Sequence, residues 1–392
     1  MCLKKITGTL LIFIFSITGC GYELNNLRNE FQEQRLPRKL PPIQGYHDLK
    51  GVIHIHTEIS HDSKGKIKEI VEAAKRNKLD FVILTDHNDP KIFTEQPQGI
   101  KDGILFIRGS EIIKDKTDIL AIAPKNFINK SELTWNEITA ELRRQNALII
   151  IAHPDYLYPD FEISDYDALE VYDIFDDVLT EKFWRLPKHL WNIICCYERY
   201  PEEIFLQILD WPKNALERWD EELQKRFPIT AVAGNDSHQN VRLFGKQIDP
   251  YWLSFKMAST HVLTSSANET DILNGLKRGR AYISFDIVNR DDQFQFYGIC
   301  DKKLIMMGDE VYKEITKDIN KDFLNCVLRV NLTDEGKIRF LQNGKIIFEG
   351  INDRMLFPVK EPGIYRVEVE RKIGNRWYPW IISNPIYIKQ AL

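Results

Sequence analysis

The chain has 392 residues, 43% hydrophobic and 28% charged, the balance of an ordinary globular protein. That length accommodates two domains, or one large barrel with an appendage. Its 53 basic and 57 acidic residues give a formal net charge of −4 with no basic block, which argues against nucleic acid as an electrostatic partner.

Residues 1–19 read as a targeting segment rather than as part of the fold. Lys4 and Lys5 make a positive start, and the apolar run Leu10 to Ile17 is shorter than the about 20 residues a bilayer span needs. Ile17-Thr18-Gly19-Cys20 resembles a bacterial lipobox, which implies cleavage before Cys20 and lipidation of its thiol. Two or three acyl chains hold a protein stably at a bilayer surface. The expectation is an exported bacterial lipoprotein, anchored through Cys20 on the periplasmic or cell-surface side. Residues 20–42 are polar and charged without periodicity, and read as a tether. Beyond Cys2 and Cys20, the cysteines at 195, 196, 300 and 326 show no paired framework. Adjacent Cys195 and Cys196 read as packing residues.

Residues 43–289 read as the main domain. Apolar runs at Gly51–His56, Asp80–Thr85, Ile104–Arg108, Asp118–Ala123, Ala147–Ala152, Ala168–Tyr172 and Ile229–Gly234 predict strands buried on both faces. Helical patterns at Ile67–Lys78, Trp135–Asn146 and Glu269–Gly279 lie between them, so the class is α/β. Residues 177–227 interrupt the rhythm with four tryptophans and read as a helical insertion, packing against the core or as a lid. Residues 290–392 alternate in short strands, Val327–Leu332, Lys337–Gln342 and Gly363–Glu370, with Asn343-Gly344 as a hairpin signal. They predict a small antiparallel, sandwich-like β domain.

Of nine histidines, His54, His56, His87, His153 and His238 fall at or just past the predicted strand ends. His54 and His56 alternate with Ile55 and so project to one face. Asp62 and Glu111 occupy comparable loops, and Asp236 precedes His238 by two residues. Functional groups gather at the C-terminal strand ends of parallel α/β folds. So much buried polarity costs several kcal/mol per unpaired group, and bound cations remove that cost. Imidazoles and carboxylates without thiolate suit zinc, manganese or iron, and eight donors exceed one tetrahedral ion. At least two divalent ions are implied.

His54-x-His56, Asp86-His87, the lone His153 and Asp236-x-His238 together resemble the signature of the PHP (polymerase and histidinol phosphatase) family over roughly residues 50–285. The resemblance implies a distorted (β/α)7 barrel with a di- or trinuclear metal centre. His56-Thr57-x-x-Ser60-His61-Asp62-Ser63, Gly109-Ser110-Glu111 and Ile382-Ser383-Asn384-Pro385-Ile386 look most like the CehA/McbA-like metallohydrolase branch. Carried over, it makes His54, His56, Glu111 and Asp236 ligands of one ion. Glu111 would bridge to a second ion on His153, and Asp62, His87 and His238 would hold a third. Asp62 is preferred to His61 on spacing. No histidine lies between Glu111 and His153, where some relatives place one.

The implied reaction is attack by a metal-activated water. Asp236 and His238 are the candidates for catalytic proton transfer, on a small-molecule or phosphoester substrate. The alternatives are hydrolysis of carbamates, amides or carboxylic esters, and a metal-loaded surface-binding protein without catalysis. Arg280, after the helix-ending Gly279, is the candidate substrate-phosphate residue. Glu170 reads as support for the ligands, and His261 as structural. One test follows from the anchor: Cys20→Ser is expected to leave the protein unlipidated. Detergent partitioning reads this, and wild type staying in the aqueous phase alongside the variant would refute the lipoprotein reading.

Overall fold

The computed structural model describes residues 21–33, 37–115, 117–154, 163–174, 186–243, 245–289, 293–313 and 326–390. The signal segment and Cys20 lie outside the described residues. The stretch read as a tether is instead helical at α1 (residues 21–32). Leu24, Leu27 and Phe31, spaced i, i+3 and i+7, pack into the main core, and Arg28 pairs with Glu203 at 2.5 Å. That spacing is a helical stripe, missed because charged residues surround it.

The strands that position the site are β1 (His47–Ile55), β2 (Phe81–Leu84), β3 (Gly99–Lys101), β4 (Ile104–Ile107), β5 (Gly109–Lys114), β6 (Thr117–Ile122), β7 (Leu148–Ala152), β8 (Ala168–Asp173) and β9 (Thr230–Ser237). Parallel pairing runs β4–β2–β1–β9–β8–β7, and β6 and β5 follow antiparallel. A parallel bridge from His87 to Glu111 brings β5 back to the end of β2. The fold is mixed α/β, as expected. Strand neighbours alternate between two apolar layers, as burial on both faces requires. Ile53, Ile83, Leu120, Ile150 and Val232 pack together on one side. Val52, Ile55, Val82 and Leu84 pack on the other under helix α2 (Ile67–Arg76).

The remaining helices follow from local signals. After α3 (Ile92–Glu95), helix α4 (Trp135–Arg144) starts at a capping box, where Thr134 and Glu137 satisfy each other's backbone N–H. The insertion forms α5 (Leu186–Cys196), α6 (Pro201–Ile208) and α7 (Lys213–Lys225), the helical excursion the sequence suggested. A two-stranded ribbon, β10 (Arg242–Leu243) and β11 (Lys246–Gln247), precedes α8 (Tyr251–Met257). Then β12 (Ser259–Thr264), α9 (Glu269–Lys277) and β13 (Ala281–Ser284) return along the N-terminal half of β1.

The tail is antiparallel β, as expected, except for one parallel pair. It comprises β14 (Phe294–Cys300), β15 (Lys303–Met306), β16 (Glu310–Lys313), β17 (Cys326–Gln342), β18 (Lys345–Pro358), β19 (Gly363–Ile373), β20 (Arg376–Ser383) and β21 (Ile386–Gln390). Strand β16 pairs parallel with β21. Asn343 and Gly344, both with positive φ, turn β17 into β18. The two short strands read on either side of Asp334–Gly336 are one strand with a register shift. Cys300 and Cys326, opposed in register, form a disulfide that the sequence reading did not foresee. Cys195 and Cys196 form no disulfide among the described residues.

The tail is stitched to the α/β sheet. Strand β20 pairs with β13, and buried Asn384 spans three backbone groups. Its Oδ1 accepts from Ala231 N at 2.8 Å, and its Nδ2 donates to the carbonyls of Ala231 at 3.0 Å and Ala281 at 2.9 Å. Fully buried Arg366 of β19 pairs with Asp220 of α7 at 2.6 Å. Removing the Asn384 side chain leaves the Ala231 N–H and carbonyl of β9 unsatisfied, at about 1–3 kcal/mol for each orphaned group, while the Ala281 carbonyl keeps the Asn384 backbone N–H. Asn384→Ala is therefore expected to destabilise by about 2–4 kcal/mol. Denaturant titration measures this, and a change within about 0.5 kcal/mol would show that the stitch contributes little.

Candidate metal centre

The backbone is strained where the site begins. His54, His153 and Asp236 all have positive φ, at 68°, 45° and 37°. Each such non-glycine residue costs about 1–3 kcal/mol and persists only where its surroundings hold it. At His54 the register of β1 shifts against both β2 and β9. Simple alternation was expected to aim His54 and His56 together. An irregularity of the kind that re-aims side chains does so instead. Glu111, read as a loop residue, is the third residue of β5, in a hairpin with β6.

Four groups converge below the strand ends. His54 Nε2 lies 3.3 Å from Glu111 Oε1 and 3.4 Å from Asp236 Oδ1. His56 Nε2 lies 3.6 Å from Glu111 Oε2 and 3.3 Å from Asp236 Oδ1. Two donors each about 2.1 Å from one tetrahedral ion stand about 3.4 Å apart, so these separations fit a shared cation. His153 joins His54 and Asp236, with donor atoms within 4.8 Å of one another. On the outer side His87 Nε2 and His238 Nε2 lie 3.0 and 3.5 Å from Asp62 Oδ2, while His87 Nδ1 lies 2.9 Å from Glu111. The exposed His61 ring lies tilted against that of His87, with centroids 5.2 Å apart. All eight residues named from the sequence are therefore brought together.

Hydrogen bonds fix which nitrogen each ring presents. His54 Nδ1 contacts Glu170 Oε1 at 2.9 Å, the support role read for Glu170. His238 Nδ1 meets the Asp236 carbonyl at 3.1 Å. Ser60 Oγ donates to Asp86 at 2.8 Å and accepts from His87 N at 3.0 Å, so at 3.1 Å from His56 Nδ1 it accepts that proton too. A neutral ring in each of these three places keeps its hydrogen on Nδ1 and turns an Nε2 lone pair inward. Those Nε2 atoms are buried without a hydrogen-bond partner, an arrangement a cation would satisfy.

Electrostatics agree with the geometry. Burial opposes the His54 charge, but Glu170, Glu111 and Asp236 outweigh it and hold the ring well above the usual histidine range. His87 is likewise lifted to about 9 against burial, by Glu111 and Asp62. His56 is lowered by burial and then by neighbouring His238. Burial also opposes the charges of Glu111 and Asp236, yet the histidines keep both carboxyls well below their ordinary range.

Asp86, buried under the loop after β1, accepts from Thr57 N, Thr57 Oγ1, Ser60 and Gln96, which sets the loop that carries Asp62. Gly234 makes room for Glu170, since a Cβ there would stand 1.5 Å from Glu170 Oε1. The sequence reading missed Asp118, the second residue of β6. It is 3% exposed, and its carboxyl is lifted to about 6 by burial and by Glu111. An aspartate opening an otherwise apolar strand was the available signal. Arg280 is not at the cluster. It precedes β13 at the end where Leu263 pairs with Asp48, six residues or about 20 Å up β1 from His54, and it pairs with Asp309 at 2.8 Å. His261 bonds Asp48 at 2.9 Å, the structural part expected of it.

A cavity of about 410 Å³ opens over Asp62, His87, Glu111, His153, Asp236 and His238. Residues 53–172, which carry six of the eight site residues and both strand-end motifs before His153, match the family model of the PHP domain. The chain carries a PHP domain. An uncharacterized protein of Methanocaldococcus jannaschii is 28% identical to it over 117 residues, covering 27% of this chain and 68% of that protein. A solved two-domain protein from Bacteroides vulgatus, described as containing a predicted PHP-like metal-dependent phosphoesterase, aligns at 15% identity with a TM-score of 0.46, over 90% of this chain and 99% of that one.

Because His54 and His87 carry protons near neutral pH in the metal-free PHP domain, an incoming ion must displace them. Zinc affinity is expected to rise with pH up to at least about 9, where His87 loses its proton. Competition with a chelating dye at about pH 6, 7.5 and 9 reads this, and an affinity indifferent to pH counts against the assignment.

Proposed function

We propose that this chain is a metal-dependent hydrolase, with phosphoester hydrolysis as its reaction, of the CehA/McbA-like kind and lipid-anchored through Cys20. The observation that supports the reading is the inward turn of three partnerless Nε2 atoms, on His54, His56 and His238, towards the carboxylates of Glu111, Asp236 and Asp62. In this proposal His54, His56, Glu111 and Asp236 hold one ion. Glu111 and His153 hold a second, and Asp62, His87 and His238 a third. The donor set suits zinc, manganese or iron.

Divalent ions held there supply Lewis acidity and draw the pKa of a coordinated water towards neutrality. The chain's own residues supply the rest. Glu170 fixes the His54 ring through Nδ1, and Ser60 with Asp86 does the same for His56. Such outer partners hold donors in register and typically contribute 10–100-fold in affinity or activity, roughly. His238 lines the cavity, 13% exposed, with Asp236 Oδ1 3.4 Å from its Nδ1. Were the outer position without its ion, the His238 Nε2 would instead be placed to pass a proton to a departing oxygen. Among the described residues no helix is long and apolar enough to cross a membrane, so the proposed attachment rests on Cys20.

Asp236→Asn and His54→Ala are each expected to abolish turnover, and the double variant to be little worse than either, because both residues act as one unit. Metal content is measured on every variant beside assays with p-nitrophenyl phosphate, bis-p-nitrophenyl phosphate and an aryl carbamate. Asp236→Asn with full metal and a near wild-type rate would sink the ligand assignment. Cleavage of the carbamate alone by metal-loaded wild type would replace the phosphoester reading.

A further inference from the structure

The cavity over the metal centre has two unlike ends. Its floor is the histidine and carboxylate cluster. Its upper wall is aliphatic and aromatic: Ile193 comes from α5, Phe205 and Ile208 from α6, Leu253 from α8, and Val241 and Ile248 flank the β10–β11 ribbon. The helical insertion thus contributes an apolar roof that the ligand-bearing strands do not need for their own packing. Phe205 and Leu253 are anchored in the main core, and Ile193 packs against it, so the wall is a fixed surface. Concave, mostly apolar pockets of about 300–1,000 Å³ with a few convergent polar groups are the usual form of a small-molecule site.

Charge narrows the occupant further. Among the described residues lining the cavity there is no lysine and no arginine, while Asp118 and Asp249 add carboxylates beside the cluster. A polyanionic substrate such as a nucleotide or a bisphosphate would have its outer charges unpaired against an apolar wall, which is costly. Among the described lining residues an anionic group would meet cations only at the floor.

We infer that the substrate is a phosphoester whose organic part is apolar and uncharged, seated against Ile193, Phe205, Ile208 and Leu253 with its phosphoryl group at the metal floor. This rests on the phosphoester reading proposed above. Each methylene buried in such a wall multiplies affinity by about four, so a longer alkyl chain is recognised until the wall is filled.

The test uses the full chain loaded with zinc or manganese. Phosphate release is measured from ethyl phosphate, octyl phosphate and glycerol phosphate, and calorimetry compares ethylphosphonate with octylphosphonate. The expected result is a kcat/KM at least tenfold higher for octyl than for ethyl phosphate, glycerol phosphate no better than ethyl, and octylphosphonate binding at least tenfold tighter. Phe205→Ala and Ile193→Asn should each shrink the octyl-to-ethyl ratio several-fold, chiefly through KM. Equal handling of short and long chains by wild type, or no binding of either phosphonate, overturns the inference whatever the variants do. Preferential octylphosphonate binding without turnover of any phosphoester would instead remove the proposed reaction and leave the apolar chamber standing.

Discussion

Everything at the strand ends depends on one constraint: Glu111 and Asp236 are buried within a few ångströms of the same two imidazoles. Two carboxylates so placed cannot keep their charges without positive neighbours, because desolvation alone costs several kcal/mol per ion. In the metal-free protein a protonated His54 and His87 supply that charge. Cations of higher charge fit the same geometry and would do so more fully. The centre is therefore a concentration of buried negative charge, and the surrounding hydrogen bonds hold its groups in position.

That shape is maintained at a distance from the ligands. Glu170 can reach His54 only because residue 234 lacks a side chain. Ser60 serves His56, His87 and Asp86 at once, so one hydroxyl ties the loop after β1 to the loop after β2. The strained backbone at His54, His153 and Asp236 persists because neighbouring strands over-determine it. Ligand geometry is thereby stored in the pairing of β1 with β2 and β9 rather than in any one loop.

Most of this was legible in the sequence where spacing is local. His54-x-His56, Asp86-His87 and Asp236-x-His238 each lie within one strand end, and the apolar runs before them place them correctly. Glu111 was found but misplaced in a loop, because β5 owes its strand character to its hairpin partner β6 rather than to its own composition. Arg280 was misjudged because a strand's end identifies a site only if the strand's direction is known. Strand β13 starts at the opposite edge of the sheet, after β12 has reversed the chain. Helix α1 was missed because charged residues surround its short apolar stripe, and the Cys300–Cys326 bond because it depends on the register of β14 against β17. Asp118 needed the register of β6 against β5 and β7 before its inward position could be known.

The spread of the donors along the chain sets an order of events. The first lies at residue 54 and the last at residue 238, with β1 wedged between the early strand β2 and the late strand β9. No growing or partly folded fragment that lacks β9 can assemble the four-donor cluster. Ion capture must come after the sheet has gathered its last central strand, and it then draws the equilibrium towards that finished arrangement. The yield of folded protein is accordingly tied to the divalent metal that is free when β9 joins the sheet.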